Sequence, residues 1–191
     1  MLLLYAVVIG LVVAMASGGR LSALATVRVR LWPVALAGLV FQALLFSSPL
    51  AGTVGALGPS LYVVSTTLVL MALVVNLRLP GFGLIVVGAL LNLIAVMANG
   101  GQMPVSPEAV ASLLGSAVLP ADVFTNSVLA GPTTQLWFLG DIFVLPRPLP
   151  LANVFSIGDV LIGLGGAVFL VRTMRRQVDA PRVRAMSGTH A

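Results

Sequence analysis

LWPVALAGLVFQALLFSSPLAGTVGALGPSLYVVSTTLVLMALVVNL, residues 31–77, holds no charged side chain. A helix that crosses a bilayer needs about 20 mostly apolar residues. This run is therefore long enough for two crossings, and the uncharged stretch Ser47-Ser48-Pro49-Leu50-Ala51-Gly52 reads as the hairpin between them. Trp32 and Pro33 open the first crossing, where an interfacial Trp and a first-turn Pro are both at home. Arg78 and Pro80 close the second.

Working outward, three more stretches pass the same test. The expected spans are residues 1–18, 31–48, 58–77, 81–98 and 151–171. Of the 191 residues, 59% are hydrophobic and 8% are charged, and the mean hydropathy is +1.13. Soluble domains carry about 25% charged residues, so an ordinary water-exposed surface is excluded, and so is a disordered chain. The reading is an all-α membrane protein of five transmembrane helices. Its single domain covers 1–176, and a flexible basic tail covers 177–191. The apolar start at Met1 has no basic region before it and reads as a retained first span rather than a signal peptide.

The arginines orient the chain. Arg20, Arg28 and Arg30 follow the first span, Arg78 the third, and Arg172, Arg175, Arg176, Arg182 and Arg184 the fifth. The remaining segments hold Arg147 against Glu108, Asp122 and Asp141. By the positive-inside rule the N-terminus is outside, the C-terminus is cytoplasmic, and residues 99–150 form an extracytoplasmic segment. The basic tail suits anionic lipid head groups. No aromatics interleave its arginines, so nucleic acid is not an expected partner. The absence of Cys, and a lone His190 in the tail, exclude thiolate and imidazole metal sites, and no cofactor is expected.

Residues 99–150 are too long for a structureless connection. Ser106-Pro107-Glu108 spells a helix start, with an N-cap, a Pro at the first helical position and an acid in the first turn. Val110, Leu113 and Leu114 share a face, Gly115 ends the helix, and the expectation is an amphipathic helix on the membrane or over a groove. Residues 134–144 are expected to be extended, with Trp137 and Phe138 at the interface. Pro146, Pro148 and Pro150 then read as a stiff lead into the fifth span.

Polar residues inside spans are the informative ones. Gly88, Asn92, Ala95 and Asn99 share one face of span four. That face reads either as a packing seam glued by Asn92 or as a groove lining, together with Gln102, Ser106 and Ser156. Ala6, Gly10 and Ala14 form a small-residue seam in span one. Gln42, Ser65, Thr66 and Thr67 are expected helix contacts. Asp159 is the acid within an apolar stretch. It lies two turns down if its helix starts near Leu151. If the helix starts at Ser156, it is the far end of a Ser-x-x-Asp capping box.

The motifs NGGQMPVS (99–106), LGDI (139–142) and NVFSIGD (153–159) resemble those of a family of small bacterial integral-membrane proteins of unknown function. The resemblance covers most of the chain and implies a multi-pass protein of the bacterial inner membrane. A partial similarity, over about 80–175, is to lipoprotein signal peptidases. These membrane aspartyl proteases carry Gly-Asn-x-x-Asp and Asn-x-x-Asp motifs at the outer ends of successive helices. Asn92-Leu93-Ile94-Ala95 and Ser156-Ile157-Gly158-Asp159 resemble the two. Ala95 stands where the first motif has its Asp, Leu91 replaces its Gly, and Ser156 replaces the second Asn.

An aspartyl protease needs two carboxylates, so Asp159 would need a partner, and Asp141 is the candidate ahead of Asp122 and Glu108. The default expectation is a non-catalytic bundle binding membrane lipid, or another membrane protein, through an outward groove. The alternative is an aspartyl hydrolase using Asp141 and Asp159, whose similarity implies a lipidated peptide as partner. A small transporter is a further alternative, although no repeat or pair of broken helices supports it.

Overall fold

The computed structural model describes residues 2–45, 55–118 and 126–187, with 176–187 as backbone only. The hairpin expected at 47–52 and Asp122 lie outside the described residues. Helices α1 (Leu2–Ala16), α2 (Trp32–Leu45), α3 (Gly58–Val74), α4 (Phe82–Ala98) and α6 (Ile157–Ser187) form the bundle. The short α5 (Pro107–Leu114) belongs to the segment between α4 and α6. The chain is mainly helical, as the apolar runs require.

Small residues set how closely the helices approach. A Cβ on Gly10 would lie 2.9 Å from the Ala167 Cα, and one on Gly163 would lie 3.0 Å from the Ala6 Cβ. α1 and α6 therefore run parallel in contact along the expected seam, with Ala14 fully buried. On the other side of α6, α4 runs antiparallel. Gly88 meets the carbonyl of Gly158, and Gly81 meets that of Gly165, with no room for a side chain at either crossing. Gly38 of α2 packs on Val69 of α3. There Gln42 Nε2 donates to Ser65 Oγ and Thr66 Oγ1 at 3.2 and 3.1 Å, the helix contact expected of these residues.

The two ends of the bundle differ in chemistry. At one end the backbone of Arg20 donates to Met174 O at 3.1 Å. Buried Asn76 there grips both backbone groups of Arg30 at 2.8 and 2.7 Å. The segment bearing Arg20, Arg28 and Arg30, the turn bearing Arg78, and the Arg172–Arg175 part of α6 thus lie together. At the opposite end the Tyr5 hydroxyl donates to Pro150 O, and residues 99–155 cover the helices.

That covering segment corrects the all-α expectation. Its described residues include four short strands: β1 (Met103–Val105) parallel to β2 (Ser127–Leu129), and β3 (Phe143–Leu145) antiparallel to β4 (Asn153–Phe155). Three-residue strands are too short to show an alternating pattern, which is why the sequence does not announce them. Residues 137–139 form a 3₁₀ turn instead of an extended run. Residues 146–151 turn instead of leading stiffly into the last helix. The helix after them starts at Ile157, not Leu151, because residues 153–155 pair with β3. It continues to Ser187, past the 171 expected for the span's end.

α5 forms as its cap predicts. Ser106 Oγ accepts from Ala109 N at 3.1 Å, and Gly115 takes the left-handed conformation that ends the helix, at φ 81°. Its apolar face is not laid on a membrane, however. Ala109, Val110 and Leu113 are buried with Val105 and Val154 in a core of the covering segment.

Among the described residues, one helix is long and apolar enough to cross a membrane by length and composition, α6 over Ile157–Arg175. The other four apolar helices are shorter, at 14 to 17 residues. The spans expected at 1–18, 58–77 and 81–98 are thus trimmed at their ends, while residues 46–48 of the span expected at 31–48 lie outside the described residues. After α3, for example, Asn76 O accepts from Leu79 N and the chain turns.

Candidate functional site

The site is built where α6 begins. Ser156, fully buried, is the N-cap: its Oγ accepts from Asp159 N at 3.0 Å, and its own N–H donates to Asp159 Oδ2 at 3.1 Å. This is the reciprocal capping box, and it decides the question of depth. Asp159 sits in the first turn of α6 and not two turns down. A capping box alone would make the carboxylate structural.

Asn92 of α4 changes that. Its Nδ2 donates to Asp159 Oδ1 at 3.0 Å, and its Oδ1 accepts from Ser156 Oγ at 2.8 Å. One amide reads both members of the box across the α4–α6 crossing that Gly88 and Gly158 keep tight. Both Asp159 oxygens accept N–H donors at the positive end of a helix, an arrangement suited to a carboxylate.

Asp141 arrives from a different direction. Its backbone N donates to Pro104 O at 2.9 Å, and its O accepts from Ser106 N at 3.1 Å, which pins it alongside β1. Gly140 permits this approach, since a Cβ there would strike the Pro104 carbonyl. The LGDI and NGGQMPVS motifs therefore belong to one structural unit.

Asp141 and Asp159 line a single cavity of about 330 Å³, with Tyr62, Asn92, Met103, Asn126, Ser127, Asn153 and Val154. Burial, and next the negative charge of Asp159, push the Asp141 carboxyl up to about 7. Asp141 is thus able to keep its proton near neutral pH, in a space that Asp159 also lines. Among the described residues, no group of three His, Cys, Asp or Glu side chains could hold a metal ion.

The remaining expected groove residues divide. Asn92 and Ser156 join Asp159. Asn99 instead caps α4 and clasps the backbone of Gln135, donating to its O at 2.8 Å and accepting from its N at 3.0 Å. Ser106 caps α5, donates to Glu108 Oε2 at 2.6 Å, and lines a separate groove with Glu108 and Trp137. Gln102 lies in the turn after α4 and is not among the residues lining the Asp141–Asp159 cavity. Ala95, where the signal peptidase motif has its Asp, is fully buried beside Val96 and Met103. Tyr62, Asn126 and Asn153 are cavity residues that the sequence analysis did not single out. Asn153 belongs to the NVFSIGD motif, and Tyr62 is one of two tyrosines in the chain, which are the signals that were present.

Comparison with known proteins covers the region that holds these residues. A model described as "Family of unknown function (DUF5317)" matches residues 26–171. An uncharacterized protein of Thermotoga maritima is 31% identical over 108 residues, covering 56% of this chain and 61% of that protein. The chain thus spans less than two thirds of the length of this relative. No solved structure matches.

Proposed function

The chain belongs to the family of unknown function (DUF5317), and for it we propose a membrane-embedded aspartyl hydrolase that cleaves amide bonds presented at the outer surface of a bacterial inner membrane. The observation that carries this reading is the pair Asp141 and Asp159 lining one cavity. Two carboxyl groups at one cavity, with the Asp141 proton retained near neutral pH, are what acid–base hydrolysis requires. The similarity of Asn92-Leu93-Ile94-Ala95 and Ser156-Ile157-Gly158-Asp159 to signal peptidase motifs points the same way, with Asp141 serving in place of the acid missing at Ala95.

The chemistry balances without a further group. The Asp159 carboxylate takes a proton from water as the water oxygen bonds to the amide carbon. The carbonyl electron pair moves onto its oxygen. On collapse the pair returns, the C–N bond breaks, and the nitrogen takes the proton of Asp141. A proton passes from Asp159 back to Asp141 through water, and an acid and an amine leave. Asn92 and Ser156 hold Asp159 in place throughout.

The membrane setting is part of the proposal. Val12 and Met71 are each 61% exposed and Ile9 58%, within helices that carry almost no charge. Apolar surface on this scale on so many helices suits lipid contact and not water. In this reading α1, α2, α3, α4 and α6 are the five spans, in a bundle whose shorter helices thin the bilayer around them. The arginine-rich end is cytoplasmic and the covered end outside. Membrane lipid is the surrounding partner, and the substrate is a peptide carrying its own apolar anchor.

The natural chain has no Cys, so single cysteines can report sidedness. Thr133→Cys is expected to react with a membrane-impermeant maleimide on intact spheroplasts, and Arg78→Cys only after permeabilisation. The reverse pattern contradicts the orientation. Reaction of both on intact spheroplasts contradicts the spans.

A further inference from the structure

We propose that Tyr62 is a third catalytic residue, its phenol donating a hydrogen bond to the carbonyl oxygen of the scissile amide as that oxygen gains charge. The inference rests on the aspartyl hydrolase reading. It adds what two carboxylates cannot provide. Both acids handle protons of water and leaving group, and neither stabilises the oxyanion formed between those steps. When the oxyanion forms, Asp159 holds the proton taken from water and Asp141 still holds the one meant for the nitrogen, so neither acid is assigned to the oxygen. A neutral donor aimed at the developing charge is the usual solution, and removing one costs about 10²–10³ in rate.

Among the residues lining the cavity, Tyr62 is suited to that task. Its ring packs against Ala95, Val96 and Met103, so it is fixed by apolar contacts on the α3–α4 side. Its side chain interacts with both Asp141 and Asp159 and forms side-chain hydrogen bonds with Thr66 and Asn126. Thr66 is in turn held by Gln42 Nε2 of α2 at 3.1 Å. A short polar chain thus runs from Gln42 through Thr66 to the phenol and ends at the cavity. This gives the polar face shared by α2 and α3 a purpose beyond helix association. Asn126, Asn153 and Ser127 are also polar, but they come from the covering segment, on the side from which Asp141 enters. Tyr62 comes from the bundle, where its ring packs on Ala95 and Val96 of α4 as well as on Met103 of β1.

The test uses the full-length protein in phosphatidylethanolamine–phosphatidylglycerol vesicles and short palmitoylated peptides of randomised sequence, with cleavage read by mass spectrometry. Once a cleaved peptide is in hand, Tyr62→Phe is expected to lower kcat by about 100-fold and leave KM within about threefold of wild type. The ring and its packing are retained while the bonds to Thr66 and Asn126 are lost, so a modest fall in melting temperature is expected with the fold intact. A kcat within about threefold of wild type overturns the inference, as does a change confined to KM, which would mark uniform binding.

Should Tyr62→Phe fail to fold, the isosteric series 3-fluorotyrosine and 3,5-difluorotyrosine at position 62 decides. A graded change of kcat with phenol acidity supports donation, and a flat response overturns it. The Asp141→Asn and Asp159→Asn variants run alongside separate the two levels. If they are inactive and Tyr62→Phe is fully active, the tyrosine inference alone falls. If they retain wild-type turnover, or the wild-type protein cleaves no peptide, the hydrolase reading falls and takes the inference with it.

Discussion

Asp159→Asn and Asp141→Asn are each expected to reduce peptide cleavage by about 10³–10⁴-fold while the protein remains folded. The magnitude follows from removing a group that moves a proton in every turnover, where single-residue losses reach that range. Folding should survive because the amide of Asn is isosteric with the carboxyl. At 159 its oxygen can still accept from either Ser156 N or Asn92 Nδ2, which now bond Asp159 at 3.1 and 3.0 Å. At 141 the backbone bonds to Pro104 and Ser106 are untouched.

A non-catalytic groove predicts the opposite, since exchanging one polar group for another of equal size alters binding modestly and there is no turnover to lose. The pH profile adds a sign. Asp141 must carry a proton to serve the leaving nitrogen, and its carboxyl is pushed up to about 7 by burial and by Asp159. Cleavage should therefore fall as pH rises through about 7, and not as it falls through that value.

Gly158→Ala carries the second large effect, in stability as well as activity. The added methyl would land on the Asn92 amide oxygen and 2.6 Å from the Gly88 carbonyl oxygen. Neither is a flexible side-chain end: one is backbone of a packed helix, and the other holds Ser156 and Asp159. α4 and α6 must separate, and the cost expected of such overpacking is about 1–3 kcal/mol. The Asn92 bridge opens in the same step. Gly166→Ala, on the same helix, is the control. A Cβ there meets nothing within 4 Å, and replacing a helical Gly by Ala stabilises by about 1 kcal/mol. Thermal unfolding in detergent should place the two variants on opposite sides of wild type. Equal shifts would show that the α4–α6 crossing is not as tight as described.

Much of the architecture is legible in the residues because it depends on local chemistry. The charge-free run at 31–77 marks two helices without reference to the rest of the chain. Ser106-Pro107-Glu108 starts α5 and Gly115 stops it, since capping is a matter of four or five consecutive residues. Ser156-x-x-Asp159 likewise announces its own box. What depends on long-range pairing is not legible. The strands at 103–105, 127–129, 143–145 and 153–155 exist only because each finds its partner.

The same strands move the start of α6 from Leu151 to Ile157 and bury the apolar face of α5 that would otherwise suit a membrane surface. The site shows the same division. Asp159 stands out as an acid in an apolar run. Asp141 becomes its partner only through the Gly140–Pro104 approach, and Tyr62 only through the packing of α3 on α4. Neither relation leaves a trace in spacing.

The central claim is that Asp141 and Asp159 line one cavity and that Asp141 keeps its proton near neutral pH because of burial and the Asp159 charge. Carbon-13 NMR titration of protein labelled at the aspartate carboxyl carbons, in detergent micelles, tests it most directly. One resonance is expected to titrate at about 7. It should vanish in Asp141→Asn and move to lower pH in Asp159→Asn, where the neighbouring charge is gone. If every aspartate titrates in the ordinary carboxylic range, or if the Asp141 transition is indifferent to Asp159→Asn, the two acids do not share a site and the account is wrong.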